Sequence, residues 1–449
     1  YQERTDKEMS DTEFKTVNKA LLDFISRSPS CYHVISSFSR LLLEEGFEEL
    51  LENQPWKLKK GGRYFVTRNG SSLIAFRIPE NDFSNFQISA AHSDSPSFKV
   101  KEKQDLKAEG RYVELNVERY GGMICAPWFD RPLSVAGRAV VKSGDTLKTC
   151  LVNIDRDLLM MPSLAIHMNP KANSGYEYHP QKDLIPLLGD ERSQGQFLRL
   201  IADQLGVKPE DILGTDLFLY CRTPGTVWGA NEEYLSSPRL DDLQCAFSIM
   251  KGFLGSKGNS HSVSVCCVFD NEEVGSLTKQ GADSTLLSDV LKRICFSLGK
   301  NQEEYLQAVA GSFLISADNA HAVHPNHADK ADPTNRPYMN LGPVIKFNAN
   351  QKYTTDSVSA AIFREICSRA QVPCQTYANH SDIAGGSTLG NLSNAHVSLN
   401  AVDIGLAQLA MHSPYETAGA MDTWYLIRAM EKFYSTFIHP AENGWRIDS

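Results

Sequence analysis

The chain has no run of eighteen apolar residues, so no helix that spans a membrane is expected. Its ten cysteines include no Cys-x-x-Cys pair. Several of them (Cys266, Cys267, Cys295) sit inside apolar runs, which predicts reduced, buried thiols in a cytoplasmic protein rather than a disulfide framework. Basic residues are not in excess: 45 Lys and Arg face 54 Asp and Glu, for a net charge of −9. That balance excludes a general attraction to nucleic acid or to an acidic membrane surface. No internal repeat or low-complexity tract is present. The glycine-rich stretch Gly385-Gly386-Ser387-Thr388-Leu389-Gly390 lacks the lysine of a phosphate loop. It reads instead as a place where backbone approaches a ligand or a metal. The stretch Tyr1–Lys15 is polar, without the apolar core of a signal peptide.

What is present is the composition of a globular protein, 42% hydrophobic and 22% charged. One stretch organises it: Val268-Phe269-Asp270-Asn271-Glu272-Glu273-Val274-Gly275. The apolar run Val263–Phe269 is too short for a typical helix and reads as a buried strand. Three acidic residues follow at once, and strands of α/β proteins tend to carry function at their carboxyl ends. Adjacent glutamates repel each other unless a positive charge sits beside them. With a metal ion there, one carboxylate binds it and the other stays free as a general base.

Three further stretches have the same layout. Phe86–Ala91 runs into His92-Ser93-Asp94, Phe313–Ala317 into Asp318, and Leu406–Met411 into His412. Asp241 opens a helical pattern in Pro238-Arg239-Leu240-Asp241-Asp242. Two histidines and three carboxylates suit zinc, manganese or cobalt in a hydrolytic site, and one carboxylate can bridge two ions. Asp94, two residues after His92 on an extended chain, faces the same side and can fix its ring.

Around these motifs, residues 14–50 read as helices ending near Gly46, and Arg63–Thr67, Ser72–Ile78 and Phe86–Ala91 as strands. From about 97 to 234 short alternating runs replace the strand-then-ligand layout, which predicts an inserted second domain. Strands and helices then alternate to a closing helix at 422–437. The expected architecture is α/β: a central mixed sheet flanked by helices, formed by 1–96 and 235–449, with a strand-rich insert at 97–234.

The strings Asp270-Asn271-Glu272-Glu273-Val274-Gly275-Ser276 and Ser316-Ala317-Asp318-Asn319-Ala320-His321-Ala322-Val323-His324-Pro325, with His92-Ser93-Asp94, Arg239-Leu240-Asp241 and Ala410-Met411-His412-Ser413, resemble the M18 family of metallo-aminopeptidases. The likeness is to its aspartyl aminopeptidase type and runs through the whole chain in order. It implies two divalent ions, zinc first and manganese or cobalt as alternatives, with Asp241 bridging, His92 and Asp318 completing one site and Glu273 and His412 the other. It implies Glu272 as general base and Asp94 as the orienter of His92. Lys346 then pairs with an acidic substrate side chain, helped by Tyr353, and His167 reaches a neighbouring subunit's active site.

The resemblance also implies an insert that mediates dimerisation and dimers that build a tetrahedral dodecamer. The implied activity is release of the N-terminal residue, Asp or Glu by preference, from peptides with a free amino terminus. The loop Asn379–Thr388 is similar to microbial members, which leaves a neutral or basic N-terminal preference open. A catalytically silent scaffold or cargo particle, and a deacylase that takes blocked amino termini, are the remaining alternatives.

Overall fold

A computed structural model describes residues 2–449, with side chains from Thr12 onward, so part of the polar stretch Tyr1–Lys15 lies outside the described residues. The chain builds three main sheets and a terminal hairpin. The largest has nine strands, in the order Glu48–Leu50, Arg63–Arg68, Ser72–Arg77, Ser262–Phe269, Asn85–His92, Phe313–Ala317, Asn400–Gly405, Val344–Phe347, Gln375–Ala378. Its middle four strands run parallel, with Phe269 in register with His92. Antiparallel pairs flank them, so the sheet is mixed.

Every residue of Ser262–Phe269 and of Asn85–His92 is buried. A strand covered on both faces can be apolar throughout, and successive residues then feed opposite layers. Val265, Cys267 and Phe269 join the cluster under the helix Leu286–Ser297, whereas Cys266 and Val268 join the one under the helices Leu240–Gly255 and Asp422–Ser435. These two helices cross closely at Gly252, where a Cβ would stand 2.3 Å from that of Met430. Because the middle strands are parallel, their carboxyl ends share one edge. The residues after them, His92, Asp270–Glu273 and Asp318, therefore meet.

A second sheet of six antiparallel strands lies wholly between Ser97 and Cys221 and encloses its own apolar cluster, including Phe98, Leu115, Trp128 and Leu217. Thr226–Trp228 and Tyr234–Ser237 belong to a third sheet, with Glu416–Gly419, Ala407–Leu409 and Ala320–His321. Two local expectations shift. The run Leu406–Met411 before His412 is a strand only over Ala407–Leu409, and that strand lies in the third sheet, not the large one. The closing helix ends at Ser435, and Phe437–Ala441 pairs with Gly444–Asp448 in a hairpin.

Candidate metal centre

Four backbone positions at this edge take left-handed conformations without being glycine: Arg239 (φ 58), Asn271 (φ 63), Ala410 (φ 56) and His412 (φ 67). Such conformations are uncommon for L side chains and persist where the surroundings over-determine them. Here they turn the chain so that Asp241, Glu272, Glu273 and His412 converge. Asn271 starts a single 3-10 turn, Glu272–Val274, and Gly275 (φ 99) closes it.

The convergent atoms have a regular layout. His92 Nε2 lies 3.4 Å from Asp241 Oδ1, 3.6 Å from Asp318 Oδ1 and 3.8 Å from Glu272 Oε2. His412 Nε2 lies 3.3 Å from Asp241 Oδ2 and 3.3 Å from Glu273 Oε2. The two oxygens of Asp241 thus face two different histidines. These gaps exceed those of good hydrogen bonds, which run about 2.7–3.2 Å. They match the edges of a tetrahedron of donors about 2.1 Å from one ion, roughly 3.4 Å. Two of the atoms involved, His92 Nε2 and Asp241 Oδ1, are buried without a hydrogen-bond partner, as is the second oxygen of Glu273, Oε1. Buried polar atoms ordinarily have partners, and a divalent cation would supply one to each. On this test the donor set fits metal, and groupings of His92, Asp241 and Asp318, and of Asp241, Glu273 and His412, could each hold an ion.

The electrostatics agree. Burial pushes the Glu272 carboxyl up to about 8, with Asp318, Asp94 and Asp241 adding to the rise and His92 opposing it. Burial, then Asp241, raises Glu273 well above the usual carboxylate range. Burial pulls the His92 ring down, but Asp242, Asp241, Asp318 and Asp94 outweigh it and hold it well above the usual range. So many acidic groups out of water call for positive charge.

The surrounding residues pin this arrangement. His92 Nδ1 lies 3.1 Å from Asp94 O and 3.2 Å from Asp94 Oδ1. The Asp94 carboxylate accepts the Glu272 and Glu273 amides at 3.1 and 3.2 Å. Sequence reasoning missed several partners. Asp242 accepts the backbone amides of His92 and Asn319, and Glu416 those of Asp241 and His412. Asn319 donates its side-chain amide to Leu240 O, Gln244 Oε1 and Gln408 Oε1. Tyr120 donates to Asp94 Oδ2 at 2.7 Å. Only Asp242 carried a signal, as an acid next to a candidate ligand.

A cavity of about 400 Å³ opens onto the cluster, lined by Glu272, Asp318, His321, Lys346, Tyr353, Tyr377 and the loop residues Gly386–Thr388 among others. Lys346 is 4% exposed and donates to Asn319 O at 2.9 Å, with its Nζ 3.8 Å from Asp318 Oδ2 and 5.6 Å from the centre of the Tyr353 ring. His167 does not line this cavity; it is exposed on the segment 163–169 beside Leu164, Ile166 and Met168, which are 54, 51 and 67% exposed.

A parallel-centred α/β sheet that gathers histidines and carboxylates at its strand ends, beside an open cavity, defines a metal-dependent hydrolase. A model of the family "Aminopeptidase I zinc metalloprotease (M18)" matches residues 24–434, so the chain belongs to the M18 metallo-aminopeptidases. It is 45% identical over 425 residues to a probable M18 family aminopeptidase 2 of Clostridium acetobutylicum, covering 93% of this chain and 98% of that one. Among solved structures, Ape4 in complex with Nbr1 superposes with a TM-score of 0.91 at 36% identity, covering 94% of this chain and 86% of that one. The mApe1 dodecamer of yeast superposes with a TM-score of 0.82 at 26% identity, covering 94% and 97%.

Proposed function

We propose that the protein is a dinuclear aminopeptidase that removes one N-terminal residue, Asp or Glu by preference, with Glu272 as general base. The observation that carries this reading is the division of the Asp241 carboxylate between His92 and His412. Asp241 would bridge two divalent ions, zinc by preference, with His92 and Asp318 holding one and Glu273 and His412 the other. Bound there, the ions would polarise the scissile carbonyl and lower the pKa of an attacking water.

The chain supplies the rest. The Glu272 carboxylate makes no hydrogen bond among the described residues and borders the cavity. Bound ions would bring its raised carboxyl down again, leaving it able to take a proton from water and to return it to the leaving amine. Asp94, engaged by both glutamate amides, keeps His92 and the Glu272–Val274 turn in one register. Lys346, buried at the cavity wall with Tyr353 beside it, offers an ammonium to an acidic substrate side chain.

A preference for neutral N-terminal residues is the second reading. It draws support from the Lys346 ammonium being already engaged by Asn319 O and Asp318. Asp-, Glu-, Leu-, Lys- and Ala-amides, assayed with and without zinc, manganese and cobalt, separate the two. Dominance of Asp and Glu supports the first, and dominance of Leu or Ala the second. Absence of any metal-dependent turnover would return the scaffold reading.

The segment 97–234 we assign to assembly. Exposed Leu164, Ile166 and Met168 flank His167, and apolar groups of that size clustered on a surface suit burial against another copy. The dodecamer of the yeast relative is the assembly we extend to this chain, and we propose that dimers build it, with His167 reaching a neighbour's site. A cytoplasmic setting accords with ten free cysteines. Among the described residues no helix is long and apolar enough to cross a membrane.

A further inference from the structure

The six-stranded sheet and the metal centre meet through one short stretch, residues 120–125. Tyr120 ends the strand Tyr112–Tyr120 of that sheet. Its hydroxyl donates to Asp94 Oδ2 at 2.7 Å and accepts from Asn271 Nδ2 at 2.9 Å. One hydroxyl therefore ties the carboxylate beside His92 to the residue that starts the Glu272–Val274 turn. The next residues continue the contact. Gly121 (φ +77) is so close to Glu273 that a Cβ would stand 3.2 Å from both the Glu273 Cβ and its carbonyl oxygen. Ile124 donates its amide to the His412 carbonyl at 3.1 Å. Between them, Tyr120, Gly121 and Ile124 touch the surroundings of all three histidine- and glutamate-bearing segments of the centre.

We infer that Tyr120 is a positioning residue through which the six-stranded sheet fixes Asp94, and through it the His92 ring and the Glu272–Glu273 turn. The inference rests on the metal-site reading above. A carboxylate has room for several donors, and Asp94 Oδ2 accepts both Tyr120 and the Glu273 amide. Remove the hydroxyl and Asp94 loses the only side-chain donor that comes from the six-stranded sheet among the described residues, while Asn271 Nδ2 loses its acceptor. The ring itself is held independently, edge-on to Phe218 at 5.2 Å. Tyr120→Phe thus deletes the two hydrogen bonds and keeps the packing. Partners of metal ligands are worth about 10–100-fold in metal affinity or activity.

The test is Tyr120→Phe in the full chain, with Tyr112→Phe as the control, since Tyr112 lies on the same strand but is 51% exposed. Zinc loss to a chromogenic chelator and the kcat and KM for an N-terminal amide are measured for each. The expected result is zinc loss about tenfold or more faster and a lower kcat at unchanged KM, with Tyr112→Phe like wild type. A double-mutant cycle with Asp94→Asn gives the second readout: if Tyr120 acts through Asp94, Tyr120→Phe adds little in that background. Zinc retention and kcat like wild type, or full additivity with Asp94→Asn, would overturn the inference. Zinc retention is read without substrate, so a wild-type protein that holds zinc but cleaves nothing would sink the aminopeptidase reading and leave this one standing or falling on its own.

Discussion

Glu416 offers the sharpest structural prediction outside the ligand set. It is 2% exposed, and its two oxygens accept the Asp241 amide at 2.9 Å and the His412 amide at 2.8 Å, with Gln408 Nε2 at 3.3 Å. One carboxylate thus holds the backbone of both residues whose side chains face each other across the centre. Glu416→Gln keeps the shape but offers one carbonyl oxygen in place of two acceptors. One backbone N–H must then face an amide NH2. A hydrogen bond to a charged group contributes about 1.5–3 kcal/mol, and a buried donor left without an acceptor costs a similar amount. At about 1.4 kcal/mol per factor of ten, zinc retention should fall about 10–100-fold. Competition with a chromogenic chelator at fixed pH measures it. Zinc affinity equal to wild type would refute the reasoning, because it would mean that neither amide needs its acceptor.

Two other perturbations follow from the same geometry. Lys346→Met keeps the bulk of a buried side chain and removes its charge, so the kcat/KM preference for Asp over Ala amides should fall by about 2 kcal/mol or more, roughly thirtyfold. An unchanged preference would assign the acidic pocket elsewhere. His33 is the pH probe: burial, then Arg239, lowers its ring from 6.5 to about 4, and its Nδ1 lies 2.8 Å from Ser30 Oγ. A depressed histidine favours the neutral fold, so this stability is present above pH 6.5 and is lost as the pH falls towards 4. Between about pH 7 and 5 the loss is about 2 kcal/mol, and His33→Gln should remove that part of the slope in urea melts. A slope equal to wild type would show that His33 is not the group being charged.

The sequence made the strand ends legible because the physics there is local. Strands buried on both faces are mostly apolar, so Val263–Phe269 and Phe86–Ala91 stand out, and the polar residues that follow them are the ones delivered to the sheet edge. His92, Glu272, Glu273 and Asp318 were readable in this way, whereas His412 follows a short strand of the third sheet. The residues that hold them were not. Glu416 meets Asp241 across 175 positions and Tyr120 meets Asn271 across 151, and nothing in the spacing of either announces a partner. The change of sheet between Asn400–Gly405 and Ala407–Leu409 was hidden for a related reason: only Leu406 separates them, and no polar residue marks the step. Thr226–Trp228 is short and pairs with a strand that itself joins Glu416–Gly419, so its sheet cannot be read from its own residues.

The central claim is that Glu272 moves the proton while its neighbours hold metal. Glu272→Gln tests it directly, because the amide keeps the size of the side chain and cannot act as a base. Metal content and turnover of an N-terminal Asp-amide are measured on the same preparation. The account predicts wild-type zinc content with kcat reduced about 100-fold or more, within the range by which a positioned general base contributes. Full turnover with zinc retained would contradict it.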